Sequence, residues 1–183
     1  MTIDFEIEGR LKFSFDANSW VVLKWDADRA YIDGIGKTPT ACAIDLVAVM
    51  NRSTLYLIEV KDPRGYRIKY KKILTSGEIV EIVATKVRDT IAGLPWARDR
   101  VPSTHLTPFL NALYVERPTR VMVVLWLEDA DAALALSIKG PIEKKLAWLK
   151  PTVHVLNRSL IRLRPEVLAG LDVTSMPGAI AAS

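Results

Sequence analysis

Residues 43–50, Ala-Ile-Asp-Leu-Val-Ala-Val-Met, and residues 55–60, Leu-Tyr-Leu-Ile-Glu-Val, are almost wholly apolar, and only four residues join them. Such runs, with no polar alternation, read as neighbouring strands covered on both faces. Each run nevertheless carries one carboxylate, Asp45 in the first and Glu59 in the second, and Lys61 follows Glu59 by two residues. Charge in a covered strand is costly unless it is paired or bound to a metal. Period-two geometry puts Glu59 and Lys61 on one face, roughly 7 Å apart along the strand. Two carboxylates and a lysine converging on a central sheet make a hard, oxygen-rich site with an adjacent cation, chemistry suited to Mg²⁺ and a phosphate group. The bland alternative is an edge strand whose Glu59 and Lys61 form a surface salt bridge.

Hairpin register decides whether the acids meet. If Met50 faces Leu55, Asp45 faces Val60 and the acids point to opposite sides. If the loop has odd length, or holds a bulge, Asp45 faces Glu59. The second register is expected here, because a one-residue slip exchanges the faces of a strand.

The rest of the chain mixes strands and helices, which gives an α/β (α+β) class. Ile3, Phe5 and Ile7 alternate with polar residues, as do Leu11, Phe13 and Phe15, so a hairpin about Gly9-Arg10 is expected. Residues 16–26 fit either a strand or a short helix. A helix is expected over 76–92, with Thr75 and Glu78 as a capping box, Leu74 and Ile79 as a staple, and Gly93 and Pro95 as the stop. Its apolar face is Ile79, Ile82, Val83, Val87 and Thr90. Further expectations are a helix over 108–115, a buried strand over 119–127, a helix over 141–149 and a short strand over 153–156. Residues 1–172 read as one domain, and 173–183 as a flexible tail.

Ile44-Asp45, thirteen intervening residues, and then Glu59-Val60-Lys61 resembles the PD-(D/E)xK nuclease superfamily, with its restriction-endonuclease-like mixed sheet flanked by helices. In that family an acid on one core strand precedes an E-x-K on the next, and a helix and another strand follow. The expected helix over 76–92 and strand over 119–127 fill those places, so the resemblance spans roughly residues 20–127. Ile44 stands where the family has proline. The acid often carried on the family's first helix is assigned to Asp26, with Glu8 and Asp16 behind it. A second E-x-K, Glu143-Lys144-Lys145, lies on an expected helix with no acid-bearing strand before it, and is discounted.

The resemblance implies Mg²⁺-dependent hydrolysis of a phosphodiester, with Mn²⁺ as a substitute. Asp45, Glu59 and the Val60 carbonyl would bind the metal, and Lys61 would orient the attacking water and offset developing charge. The family often carries a Lys or Gln near the site on the following helix. Lys86, at the margin of that helix's apolar stripe, either takes this place or snorkels. The implied partner is DNA, with RNA as the other substrate, in a defence, repair or mobile-element setting. Homodimers are frequent in the family, but nothing in this sequence marks one.

Net charge is +4, and its excess resides in one stretch: Arg64, Arg67, Lys69, Lys71 and Lys72 carry five positive charges with no acid between them. Tyr66 and Tyr70 interleave with them. Such a segment suits a nucleic-acid backbone and stacked bases; an ordinary solvated loop leading into a helix is the alternative. Asp62, with Pro63, is read as starting a turn. The single cysteine, Cys42, excludes an internal disulfide, and with only two histidines the soft metal ligands are few. Cys42 is read as core, His105 and His154 as structural, and the five tryptophans as mostly core. No phosphate-binding GxxxxGK[ST] loop appears. The acidic N-terminus lacks a leader pattern and no apolar run is long enough to span a bilayer, so a soluble, cytoplasmic protein is expected. Two rivals to the nuclease remain: a non-catalytic nucleic-acid-binding or assembly module of the same fold, and a structural domain with a fortuitous triad.

Overall fold

The computed structural model describes residues 1–8, 10–64, 67–98, 104–115 and 120–176, with the side chains of Arg67, Ile68 and Lys69 outside that description. Three layers stack. A five-stranded sheet lies between a set of helices and a smaller three-stranded sheet. The class is mixed α/β, as the alternating patterns require.

β1 (Thr2–Ile7) and β2 (Leu11–Asp16) form the expected antiparallel hairpin, and β8 (Leu171–Ser175) completes the small sheet against β2. This corrects the reading of a tail from residue 173. Leu171 and Val173 pair with Phe15 and Phe13, whose rings need that cover. Residues 177–183 lie outside the described residues. The ambiguous stretch resolves into β3 (Trp20–Lys24) and a 3₁₀ turn, Trp25–Ala27. A short α1 (Arg29–Ile32) follows, capped by the Asp28 carboxylate.

β3 leads the large sheet, followed by β4 (Leu46–Met50), β5 (Thr54–Lys61), β6 (Arg120–Leu127) and β7 (Thr152–Leu156), in that order. β3, β4 and β5 are antiparallel; β5, β6 and β7 are parallel. The parallel pairs need crossovers. α2 (Arg67–Thr75), α3 (Glu78–Arg98) and α4 (Thr107–Tyr114) supply the first, and α5 (Ala132–Lys145) the second. Leu55, Leu57, Val123 and Leu125 face the helices, whereas Tyr56, Ile58, Val124 and Trp126 face the small sheet.

Several helix boundaries differ from the sequence pattern. Residues 67–72 of the basic segment lie in α2, a helix not expected from sequence. The Thr75 hydroxyl donates back to the Lys71 and Lys72 carbonyls, so the expected capping box is absent, and Ser76 Oγ accepts the Glu78 amide instead. α3 also runs through Gly93 and Pro95. Gly93 is a close approach rather than a stop, since a Cβ there would stand 2.8 Å from Ile35 and 3.1 Å from Trp25. Proline inside a helix costs about 3 kcal/mol, and burial of Leu94 and Ala97 on either side offsets it. Pro141 likewise lies within α5, which starts at Ala132 under an Asp131 cap and ends at Lys145, short of the expected 149. Among the tryptophans, Trp20, Trp25 and Trp126 are core, but Trp96 and Trp148 are exposed. Cys42 is half-buried on an unpaired segment rather than in the core. Among the described residues, no helix is long and apolar enough to cross a membrane.

Candidate active site

The loop between β4 and β5 has three residues, with Asn51 and Arg52 both at positive φ, and it sets Met50 opposite Thr54 and Leu46 opposite Ile58. That is the odd-length register the site requires. Continued by one residue, it puts Asp45 across from Glu59 on the helix side of the sheet. The contact follows: the Val60 amide donates to Asp45 Oδ2 at 2.7 Å. Asp45 itself precedes β4, and its carbonyl accepts the Trp25 amide.

Acids and ammoniums alternate along the site. Lys61 Nζ lies 3.4 Å from Glu8 Oε1 and 2.7 Å from Glu59 Oε1. Lys86 Nζ donates to that same Glu59 oxygen at 2.7 Å and stands 3.9 Å from Asp45 Oδ1. Lys86 therefore turns into the site rather than snorkelling away. Glu59 is fully buried, while the two lysine side chains keep 15% and 18% exposure, so the cluster opens toward solvent on its cationic side.

Burial pushes the Glu59 carboxyl up to about 7, and neighbouring Asp45 adds to the shift; Lys61 and Lys86 oppose both. Burial works against the Lys61 ammonium, yet the fields of Glu59, Asp45 and Glu8, with the Glu59 hydrogen bond, hold its pKa above the usual lysine value. Asp26, on the 3₁₀ turn after β3, is also raised, by burial first, with Asp45 among the charges acting on it. Glu59 Oε2 and Asp26 Oδ1 are both buried and, among the described residues, accept no hydrogen bond.

Helix α3 does more than deliver Lys86. Asp89 Oδ2 accepts the Cys42 amide at 3.0 Å, and Thr90 Oγ1 accepts the Ile44 amide at 3.2 Å. Residues 41–44 belong to no strand, so these side chains replace the missing ladder just before Asp45. Asp89 was not singled out from sequence, and Thr90 was read only as part of the helix's apolar face. Their signal is spacing alone: they follow Lys86 by three and four residues, on one helical face. Glu8 arrives from the small sheet at a positive φ of 54°. Asp16 is elsewhere, closing the turn at Asn18 and Ser19.

These oxygens suit a divalent cation in kind: carboxylates from Asp45 and Glu59, one of them with a buried, unsatisfied atom. A cation there would offset both the burial and the repulsion from Asp45 that raise Glu59. Among the described residues no group of three acid, His or Cys side chains is arranged to hold a metal, so two carboxylates and main-chain oxygen such as the Val60 carbonyl are what the protein offers.

Of the basic segment, Lys71 and Lys72 are exposed on α2 and Tyr70 is half-buried. Tyr66 lies outside the described residues, as do the side chains of Arg67 and Lys69. Arg64 is committed elsewhere. Its guanidinium grips the buried Asp62 carboxylate at 2.7 and 2.6 Å and reaches Ser175 Oγ, while Arg10 donates to its carbonyl. Burial opposes ionised Asp62, but the Arg64 hydrogen bonds hold its pKa below the usual range. His105 pairs with Asp28, away from this cluster. The discounted Glu143-Lys144-Lys145 lies on α5, where Glu143 pairs with Lys139.

Comparison with protein-family models, with curated proteins and with solved structures returns no match.

Proposed function

We propose that this chain is a Mg²⁺- or Mn²⁺-dependent nuclease of the restriction-endonuclease-like kind, hydrolysing phosphodiester bonds in DNA or RNA, with DNA the first substrate to test. One observation carries the reading. Asp45, Glu59, Lys61 and Lys86 converge at the end of a central strand, with a buried Glu59 oxygen left unsatisfied among the described residues. A purely structural ion pair would satisfy that oxygen.

When bound, the metal would supply Lewis-acid polarisation of a phosphoryl oxygen and a more acidic water. Asp45 and Glu59 would hold it, with the Val60 carbonyl. Lys61, the more solvent-facing end of the Glu59 pair, would orient the attacking water and offset charge on the phosphoryl oxygens. Lys86 would keep Glu59 ionised and fixed in orientation. Lys71 and Lys72 would meet the nucleic-acid backbone.

A second reading has its own observation. Both ammoniums bind Glu59 Oε1 at 2.7 Å, so the network is largely paired without a metal. That favours a non-catalytic nucleic-acid-binding module of the same fold. Cleavage of DNA and RNA with Mg²⁺ or Mn²⁺, with Lys61→Ala and Asp45→Ala as controls, separates the two. Metal-dependent cleavage lost in both variants is expected; activity surviving both substitutions refutes the mechanism, and binding without cleavage favours the module.

A further inference from the structure

A cavity of about 540 Å³ opens beside this cluster. Its floor is Leu127, which pairs with Lys61 across β5 and β6. The two Cα atoms are thus about 4.8 Å apart, with side chains on the same helix-side face. Tyr70 and Leu74 of α2 form one wall, and Leu134 of α5 another. Burial raises the pKa of the half-buried Tyr70 hydroxyl, and the charges of Lys61, Glu8, Glu59 and Asp45 also act on it.

The lining selects among occupants. The volume falls within the roughly 300–1,000 Å³ of small-ligand sites. Apolar walls with one tyrosine ring suit a flat, neutral, aromatic group. Glu128 and Asp129 stand on the lining, so a phosphate inside is disfavoured, while Lys71 on the lining and Lys61, paired with Leu127 on the neighbouring strand, mark where phosphates on either side of such a group would lie. Stacking on an aromatic side chain is tolerant of base identity.

We propose that this cavity takes one unpaired nucleobase of the substrate strand, next to the phosphate held at Lys61. This rests on the phosphodiesterase reading and refines it: the preferred substrate carries a single-stranded, bulged or extruded nucleotide rather than continuous duplex. A base that is already unpaired avoids the cost of unstacking and unpairing, which is a source of selectivity.

The test is equilibrium binding of full-length protein in EDTA, so that no cleavage occurs. Two oligonucleotide duplexes are compared, identical except that 2-aminopurine is bulged in one and paired in the other. Fluorescence anisotropy gives affinity, and 2-aminopurine emission reports the base's surroundings. Wild type should bind the bulged probe about tenfold more tightly or better. Tyr70→Ala, which removes the ring, and Leu74→Trp, which fills the cavity, should each erase that preference, bringing the affinities of the two probes together. Tyr70→Phe should keep it. Melting curves confirm folding, and either disruptive variant suffices if the other fails to fold. Binding of both probes with no preference in wild type, or a preference that survives in the folded variants, overturns the base pocket alone. No binding of either probe by wild type overturns the nucleic-acid reading beneath it.

Discussion

Replacing Lys86 by methionine tests the ion-pair geometry without any assumption about function. Methionine keeps most of the aliphatic stem that packs on α3's margin, so the change is mainly the loss of the ammonium 2.7 Å from Glu59 Oε1. Removing one partner of a buried pair commonly costs about 3–5 kcal/mol. Two features lower that here. Lys61 still covers the same oxygen. Glu59, already raised to about 7, also has an escape, because it can bind a proton. At pH 8, one unit above that value, protonation costs at most about 1.4 kcal/mol, because loss of Lys86 removes one of the charges that hold the Glu59 carboxyl down. Adding about 0.5–1 kcal/mol for a weakened hydrogen bond gives a loss near 2 kcal/mol. The sign with pH follows from the same shift. Glu59 holds its proton more tightly folded than at its ordinary 4.5, so its contribution to stability declines as pH climbs from about 4.5 through 7. The cost of Lys86→Met should therefore shrink by about 1 kcal/mol between pH 8 and pH 6. Urea unfolding in EDTA, for wild type, Lys86→Met, Glu59→Gln and the double variant, reads these values. In the Glu59→Gln background the lysine change should cost less than about 0.5 kcal/mol. An equal cost in both backgrounds would show that Lys86 does not engage Glu59 and would remove the argument.

Two more expectations concern other parts of the molecule. Asp89→Asn and Thr90→Ser retain an acceptor for the Cys42 and Ile44 amides, whereas Asp89→Ala and Thr90→Val leave them unpaired at about 1–3 kcal/mol each. If these residues position Asp45, only the second pair should also lower kcat in the cleavage assay or weaken binding of Mn²⁺ in titration calorimetry; equal behaviour of the two pairs would refute that role. His154, on β7, is lowered first by burial and then by Lys139 of α5 and by Arg164, against Glu143 and Glu166. The unfolded chain then takes up the proton first, so stability should fall as pH drops below the ordinary 6.5, and His154→Gln should flatten that slope in thermal melts at pH 5 to 7.

The acid pair was legible because hydrophobic pattern fixes strand faces, and only one register brings Asp45 and Glu59 together. Lys86 was half legible: helical spacing placed it at the edge of the apolar stripe without deciding its direction, which depends on a partner 27 residues away. The Glu8 contact lay beyond such reasoning, since it joins two sheets across 53 residues. α2 was missed although Tyr70, Ile73 and Leu74 repeat at helical spacing, because the segment was read for its charge and not for its period. Pro95 and Pro141 misled in the same direction, toward too little helix. Each usually marks a boundary, but tertiary burial on both sides outweighed the lost hydrogen bond. β8 carries a weak alternation of its own and owes its form to the exposed edge of β2.

The three-residue turn at Asn51–Ser53 gives the gene an unusual grammar. Exposed loops ordinarily accept insertions and deletions freely. Here a single added or lost residue would preserve both apolar runs, their composition and nearly all of the core, yet would turn Asp45 toward the small sheet and leave Glu59 behind. Substitutions that tolerate left-handed backbone at Asn51 and Arg52 should pass. A one-codon indel should behave as an active-site lesion, although it lies six or more residues from both Asp45 and Glu59.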